Sequence, residues 1–188
     1  MDETILRPFE PGDIAAVAAI YRDAVLNGAA SYELEAPTEE EMAARFAALG
    51  AAGYPRLVAE RGGRVLGYAY AGAFRPRPAY RFVVEDSVYV DPAAKGMGLG
   101  ATLLAALIEA VTAKGYRQII AVIGDGGEAN PSVRLHRKFG FRLAGQLEGT
   151  GFKHGRWLDT VMMQLPINGG RAAPPDPASW PERRFREG

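Results

Sequence analysis

Lys95-Gly96-Met97-Gly98-Leu99-Gly100-Ala101 is the stretch on which the reading of this chain turns. It follows an apolar run of strand character, Tyr80 to Val90. It opens a helix, Gly98 to Lys114, in which Leu99, Leu103, Leu104, Leu107, Ile108 and Val111 share one face until Gly115 stops it. Three glycines at alternate positions exceed what a chain reversal needs. They let the backbone approach a ligand closely, and the free amides and dipole of the helix N-terminus favour a phosphate group. A Walker loop is excluded, because Gly100 is followed by Ala101-Thr102 rather than by Lys and Ser/Thr. The dinucleotide pattern G-x-G-x-x-A does occur as Gly96, Gly98 and Ala101. However, Asp91 to Lys95 separate it from the strand, where a dinucleotide turn should be immediate.

Upstream, Ile5–Pro8 reads as a short strand and Asp13 as the cap of a helix carrying Ile14, Val17, Ala18, Tyr21 and Val25. Thr38-Glu39-Glu40-Glu41 is a capping box that opens a second helix through Phe46 and Leu49. Arg56–Glu60 and Val65–Tyr70 flank Gly62-Gly63, a hairpin signature. Pro76 and Pro78 keep the next stretch irregular. Downstream, Gln118–Ile123 is a buried strand, and Asn130-Pro131 gives an N-cap and first-turn proline for a helix ending at Gly140. Phe141–Leu147 and Trp157–Leu165 close the pattern as two strands. The order β-α-α-β-β-β-α-β-α-β-β predicts a single α/β (α+β) domain, with a mixed, mostly antiparallel sheet flanked by helices. Residues 169–188, with prolines at 174, 175, 177 and 181, read as a tail without a core of its own.

Composition narrows the function. With 188 residues, 48% of them hydrophobic, the chain can build one full core. Lys plus Arg and Asp plus Glu are 22 each, so no basic excess argues for nucleic acid. No apolar run is long enough for a membrane span, and Met1-Asp2-Glu3-Thr4-Ile5-Leu6-Arg7 lacks the features of a signal peptide. There are no cysteines, which removes disulfides and thiolate nucleophiles and fits a reducing cytoplasm. His136 and His154 are the two histidines, and their spacing is not that of metal ligands, so no metal is expected.

A strand, Asp-Pro, then Lys95-x-x-Gly98-x-Gly100 and a long helix resembles the acetyl-CoA loop of the GNAT superfamily of N-acetyltransferases, with Lys95 where the family has Gln or Arg. Asn130, His136 and Phe139-Gly140-Phe141 are similar to its second cofactor helix, with His136 where a Tyr commonly donates to the departing thiolate. Four segments resemble the phosphinothricin and methionine sulfone branch: Glu85–Val90, Ala121–Gly124, Pro131–His136 and Gly151–Trp157. The loop 124–129 is longer than is usual there. The resemblance covers about residues 4–166, and the division it implies is an N-acetyltransferase domain over 1–167 and a Pro/Gly-rich tail over 168–188.

The resemblance implies a GNAT acyl-CoA N-acyltransferase fold and direct acetyl transfer from acetyl-CoA, without metal, to the α-amine of a small amino-acid-like acid. Phosphinothricin, methionine sulfoximine and methionine sulfone are the analogue class, and the implied setting is detoxification by a cytoplasmic homodimer. Lys95, Gly96, Met97, Gly98, Leu99, Gly100 and Ala101 would bind pyrophosphate. Val88, Tyr89, Val90 and Asn130 would bind the thioester and pantetheine. Glu85 would be the base, and both its apolar strand and its neighbour Asp86 would raise its pKa. His136 would be the acid for the thiolate or a substrate-positioning group. Tyr32, Arg75, Arg77 and Tyr80, with Glu85, would line the substrate pocket. Plainer readings stand beside these: Asn130 as a cap, the arginines as exposed loop residues, Tyr32 as core and His154 as hairpin architecture. A different amine (a polyamine or a protein N-terminus) and a non-catalytic acyl-CoA-binding module are the alternatives.

Overall fold

The computed structural model describes residues 3–187. Met1 and Asp2, at the start read above for a signal peptide, and Gly188, at the end of the tail, lie outside them. The elements in chain order are β1 (Ile5–Pro8), α1 (Ile14–Asn27), α2 (Glu39–Ala51), β2 (Arg56–Arg61), β3 (Arg64–Ala73), β4 (Val83–Val90), α3 (Leu99–Ala113), β5 (Gln118–Gly124), α4 (Pro131–Lys138), β6 (Arg142–Lys153), β7 (Arg156–Pro166) and α5 (Trp180–Glu187). The strands form one seven-stranded sheet in the order β1-β2-β3-β4-β5-β7-β6. Every neighbouring pair is antiparallel except β4 with β5, a parallel pair that α3 joins by a crossover.

Strand alternation sends successive side chains to opposite faces, and each face has its own core. On one, Leu103, Leu104, Leu107 and Val111 of α3 pack on Ala69, Val84, Ile119 and Met163. On the other, Val17 and Val25 of α1 and Phe46 of α2 pack on Val58 and Tyr68. Phe46 meets Phe9, Tyr68 and Tyr70 with ring centroids 4.7, 5.7 and 5.5 Å away. The α3 face is the more continuous apolar surface, which is why its leucines were so legible as one stripe.

The caps behave differently from one another. Thr38 Oγ1 accepts from the Glu41 amide at 3.1 Å while Glu41 reaches back to the Thr38 amide at 2.7 Å, as the capping box requires. Asp13 stands at the N-cap position of α1 without capping it. Its carboxylate accepts two bonds from the Arg7 guanidinium, at 2.8 and 2.7 Å, and one from the Glu10 amide at 2.8 Å. A forked guanidinium outcompetes a single amide for a carboxylate, so the residue read as a cap ties β1 to α1 instead.

Three boundaries differ from the sequence reading. Tyr80 belongs to a 3₁₀ turn, Pro78–Tyr80, so β4 starts only at Val83. Tyr80 and the apolar residues after it had read as the start of one continuous strand to Val90. The last hairpin is longer than read: β6 runs to Lys153 and turns at His154-Gly155, both with positive φ, 52° and 73°. Register shifts at Leu143/Gly145 and Leu147/Gly151 had broken its alternation. The terminal stretch holds helix α5. Trp180 packs against the α3-face core, Arg81 pairs with Glu182 at 2.9 Å, and Arg184 donates to the Ala52 carbonyl. The tail thus docks on the domain's own core, anchored by one large ring.

Candidate active site

The parallel pairing of β4 and β5 is short. It joins Val83 to Gln118, Val84 to Ile119 and Glu85 to Ile120, after which the strands part although β4 continues to Val90 and β5 to Gly124. A cleft of about 700 Å³ fills the gap. One wall is the freed half of β4, Glu85 to Val90. A second is the start of α3 and of α4, and a third is the end of α1 with Gly28, Ala29 and Ala30.

The glycine loop is built to present amides. Asp91 accepts from the Ala93 amide at 2.9 Å and so shapes the turn before it. Gly96 and Gly98 both lie in the left-handed region, with φ of 82° and 80°, and Gly98 is the N-cap of α3. The Gly98 carbonyl takes the Ala101 and Thr102 amides, while the first amides of α3 have no intrahelical acceptor. A Cβ on Gly96 or Gly98 would meet nothing within 4 Å, so backbone conformation, not space, is what demands glycine here. The result is an open helix N-terminus beside the cleft, suited to phosphate oxygens.

Asn130 Oδ1 accepts from the Ser132 and Val133 amides at 2.7 and 3.4 Å, and its amide group donates to the Asp125 carbonyl at 3.0 Å. It is therefore a cap, and it lines the cleft as well. Glu85, Val88, Tyr89, Val90, Lys95, Gly100 and His136 also border the cleft. Gly96, Met97 and Gly98 are exposed on the loop beside it, Ala101 follows in the first turn of α3, and Leu99 turns into the core. Tyr32, Arg75, Arg77 and Tyr80 stand outside the lining. The last three are exposed on the irregular segment before β4, where Arg75 lies over the Phe74 ring at 4.4 Å. Tyr32 donates to the Asp159 carbonyl at 3.0 Å and so packs the α1–α2 connection onto β7.

Glu85 is the last β4 residue paired to β5, at the apex of the cleft and half-buried. Burial pushes its carboxyl pKa up, the neighbouring Asp86 adds to the rise, and the Arg75 cation opposes it. A carboxylate held that way can take a proton near neutral pH.

His136 lies on α4 and borders the cleft, but it is itself buried. Its Nδ1–H donates to the Ser132 carbonyl at 2.7 Å, its Nε2 faces Asp86 Oδ2 at 2.9 Å, and the ring stands edge-on to Phe141 at 4.9 Å. Burial alone would lower its pKa, but the hydrogen bond and charge of Asp86 outweigh that, and the net direction is up. Both ring nitrogens are thus committed inside the protein. Asp86 is the residue that sequence reasoning passed over, since it appeared only as a like charge beside Glu85. A signal was present: an acid at an inward strand position between Val84 and Val88 needs a partner. The partner lay 50 residues away on a different element.

Among the described residues, no group of three or more His, Cys, Asp or Glu could hold a metal ion, and no helix is long and apolar enough to cross a membrane. The arrangement combines a phosphate-binding helix end, an elongated cleft beside free strand edges and a carboxylate with raised pKa at its apex.

Known proteins are similar to this chain in sequence and fold. The Acetyltransferase (GNAT) domain family matches residues 6–162. Phosphinothricin N-acetyltransferase of Alcaligenes faecalis is 49% identical over 171 residues, covering 91% of this chain and 86% of the relative. The L-methionine sulfoximine/L-methionine sulfone acetyltransferase of Pseudomonas aeruginosa is 44% identical over 164 residues, covering 86% of this chain and 94% of the relative. The crystal structure of a GNAT superfamily phosphinothricin acetyltransferase from Sinorhizobium meliloti, in complex with AcCoA, superposes with a TM-score of 0.90 at 50% identity, covering 95% of this chain and 96% of that one. With the splayed strands, the glycine loop and this similarity over nearly its whole length, the chain belongs to the GNAT family of N-acetyltransferases.

Proposed function

We propose that this enzyme transfers the acetyl group of acetyl-CoA to the α-amine of a small amino-acid-like acid of the phosphinothricin, methionine sulfoximine or methionine sulfone type. The observation that carries the reading is the position of Glu85. It is a half-buried carboxylate with raised pKa at the point where β4 and β5 separate. In the reaction, Glu85 takes a proton from the substrate ammonium, directly or through water. The free amine attacks the thioester carbon, the tetrahedral oxyanion collapses, and coenzyme A leaves as a thiolate that is then protonated. Amides at the β4 edge near Val88 and Val90 receive the oxyanion and the pantetheine arm, and the start of α3 receives the pyrophosphate. There is no cysteine to carry the acetyl group, so transfer is direct within a ternary complex.

Arg75, Arg77 and Tyr80 stand just outside the cleft, and Arg75 is close enough to Glu85 to act on its ionisation. In this reading they close over the acid end of the substrate when it binds. Acetylation of such analogues detoxifies them. The proposed assembly is a homodimer through the free β6 edge and its hairpin, where Leu143, Leu147 and Phe152 of β6 and Trp157 of β7 are 62, 49, 56 and 68% exposed.

The test is thiol release from acetyl-CoA with phosphinothricin, methionine sulfoximine, methionine sulfone, spermidine and an N-terminal peptide in parallel. Release with the first three is expected. Glu85→Gln should lower kcat by about 100-fold to 10,000-fold, with acetyl-CoA affinity retained. Release only with spermidine or the peptide would overturn the substrate class. Acetyl-CoA binding without turnover would overturn the catalytic reading.

A further inference from the structure

Lys153 ends β6 with its side chain turned inward, between the outward Phe152 and the hairpin turn, and only 4% of the residue is exposed. A buried ammonium is retained against a large desolvation cost only where its charge or its hydrogen bonds matter. Its Nζ donates to the backbone carbonyl of Ser31 at 2.7 Å, and Glu33 is the nearby anion. Ser31 follows directly on Gly28, Ala29 and Ala30, the cleft wall at the end of α1, which packs on the opposite sheet face from α3 and α4.

Other contacts converge on the same short segment. His154 donates to the Gly28 carbonyl at 3.2 Å, Tyr32 donates to the Asp159 carbonyl, and Ser31 Oγ lies 2.9 Å from the Tyr21 hydroxyl. Glycine permits the close fit: a Cβ on Gly151 would come within 2.6 Å of the Tyr32 ring, and one on Gly124 would strike the Ala29 carbonyl. The β6–β7 hairpin therefore grips the segment from behind. Lys153 is the one charged side chain in that grip that is nearly sealed from solvent, and it is absent from the cleft lining.

We propose that Lys153 is a positioning residue for the acceptor amine, fixing the Gly28–Ala30 wall through the Ser31 carbonyl and so setting amine affinity without touching either substrate. The inference rests on the acetyltransferase reading, in that the wall opposite α3 and α4 is the one left for the amine.

Lys153→Met tests it in the full-length enzyme, with phosphinothricin and acetyl-CoA as ligands. The expected result is a rise of about tenfold or more in KM for the amine. The Kd of acetyl-CoA, measured by calorimetry without turnover, should stay within about twofold, and Tm should fall by no more than a few degrees, because the Ser31 carbonyl loses its donor while the desolvation cost of the ammonium is removed with it. A merely structural lysine would lower Tm and leave the amine KM alone. Gly151→Ala, which pushes on Tyr32 from outside the cleft, should raise the amine KM in the same direction and keeps the question answerable if Lys153→Met does not fold. An unchanged amine KM in either folded variant, or an equal weakening of acetyl-CoA binding, would overturn the proposal. Wild-type turnover tests the reaction itself, so failure of the reaction and failure of the role of Lys153 are told apart.

Discussion

Asp86→Ala isolates the buried pair beneath the active-site apex. The side chains of His136 and Asp86 are 5% and 2% exposed, and their contact is 2.9 Å. Removing the carboxylate leaves an imidazole whose Nε2 has lost its partner inside the protein. Two outcomes bound the cost. An uncompensated buried cation would cost about 3–5 kcal/mol. A histidine that sheds its proton leaves only an unmet hydrogen bond, about 1–3 kcal/mol. The sign of the pH dependence follows from the direction of the shift. The folded-state pKa of His136 is raised, so the pair's contribution is fully present below the unfolded value of about 6.5 and is lost as pH rises through the folded value. The loss on Asp86→Ala should therefore be about 3–4 kcal/mol at pH 5.5 and about 1–2 kcal/mol at pH 9. At about 2–4 °C per kcal/mol for a chain of this size, the drop in Tm is about 6–16 °C in acid and about 2–8 °C in base. Denaturant unfolding of both proteins at the two pH values measures this. A destabilisation that is the same at both would refute the charged pair. His136 would then be neutral at both pH values, its Nε2 no longer held by charge.

Other consequences are simpler to read. Gly98→Ala keeps its space but not its φ of 80°, so it should cost about 1–2 kcal/mol in urea unfolding and weaken acetyl-CoA binding in the same titrations. Trp157→Glu places a charge in the most exposed apolar cluster, beside Phe152 at 5.1 Å. Light scattering should then report a monomer where the wild type is a dimer, and a wild-type monomer would remove the β6-edge assembly. Trp180→Ala withdraws the ring that packs on the α3-face core and under Lys114 Nζ at 4.6 Å. It should lower stability by about 2–4 kcal/mol, and an unchanged Tm would mean that α5 is not held by it.

Much of the fold is written locally. The α3 leucines, the Thr38 box, the Gly62-Gly63 hairpin and the Asn130-Pro131 helix start each depend on residues within a turn or two of one another, and each is found where the sequence places it. The glycine loop is equally local, because the need for positive φ is a property of the backbone at Gly96 and Gly98 themselves. What failed was governed by distant partners. Asp13 looked like a cap until Arg7 claimed it. The tail, read as lacking a core of its own, carries a helix that the sequence did not announce, because the pocket for Trp180 is built by other parts of the chain.

The site divides the same way. Glu85, the glycine loop and Asn130 stand out by residue type and spacing, and they border or open onto one cleft. That Glu85 lies at its apex is decided by where β4 and β5 stop pairing, a property of two strands that no window of sequence contains. The partnership of Asp86 with His136 across 50 residues, and the hold of Lys153 on Ser31 across 122, likewise exist only once the sheet has brought β4, α4, β6 and the α1–α2 connection together. Sequence alone determined most of the elements, the family resemblance and the glycine loop, because those follow from short-range backbone and periodicity requirements. The tertiary structure decided which charges are buried and what they face, because desolvation and pairing depend on neighbours that only packing supplies.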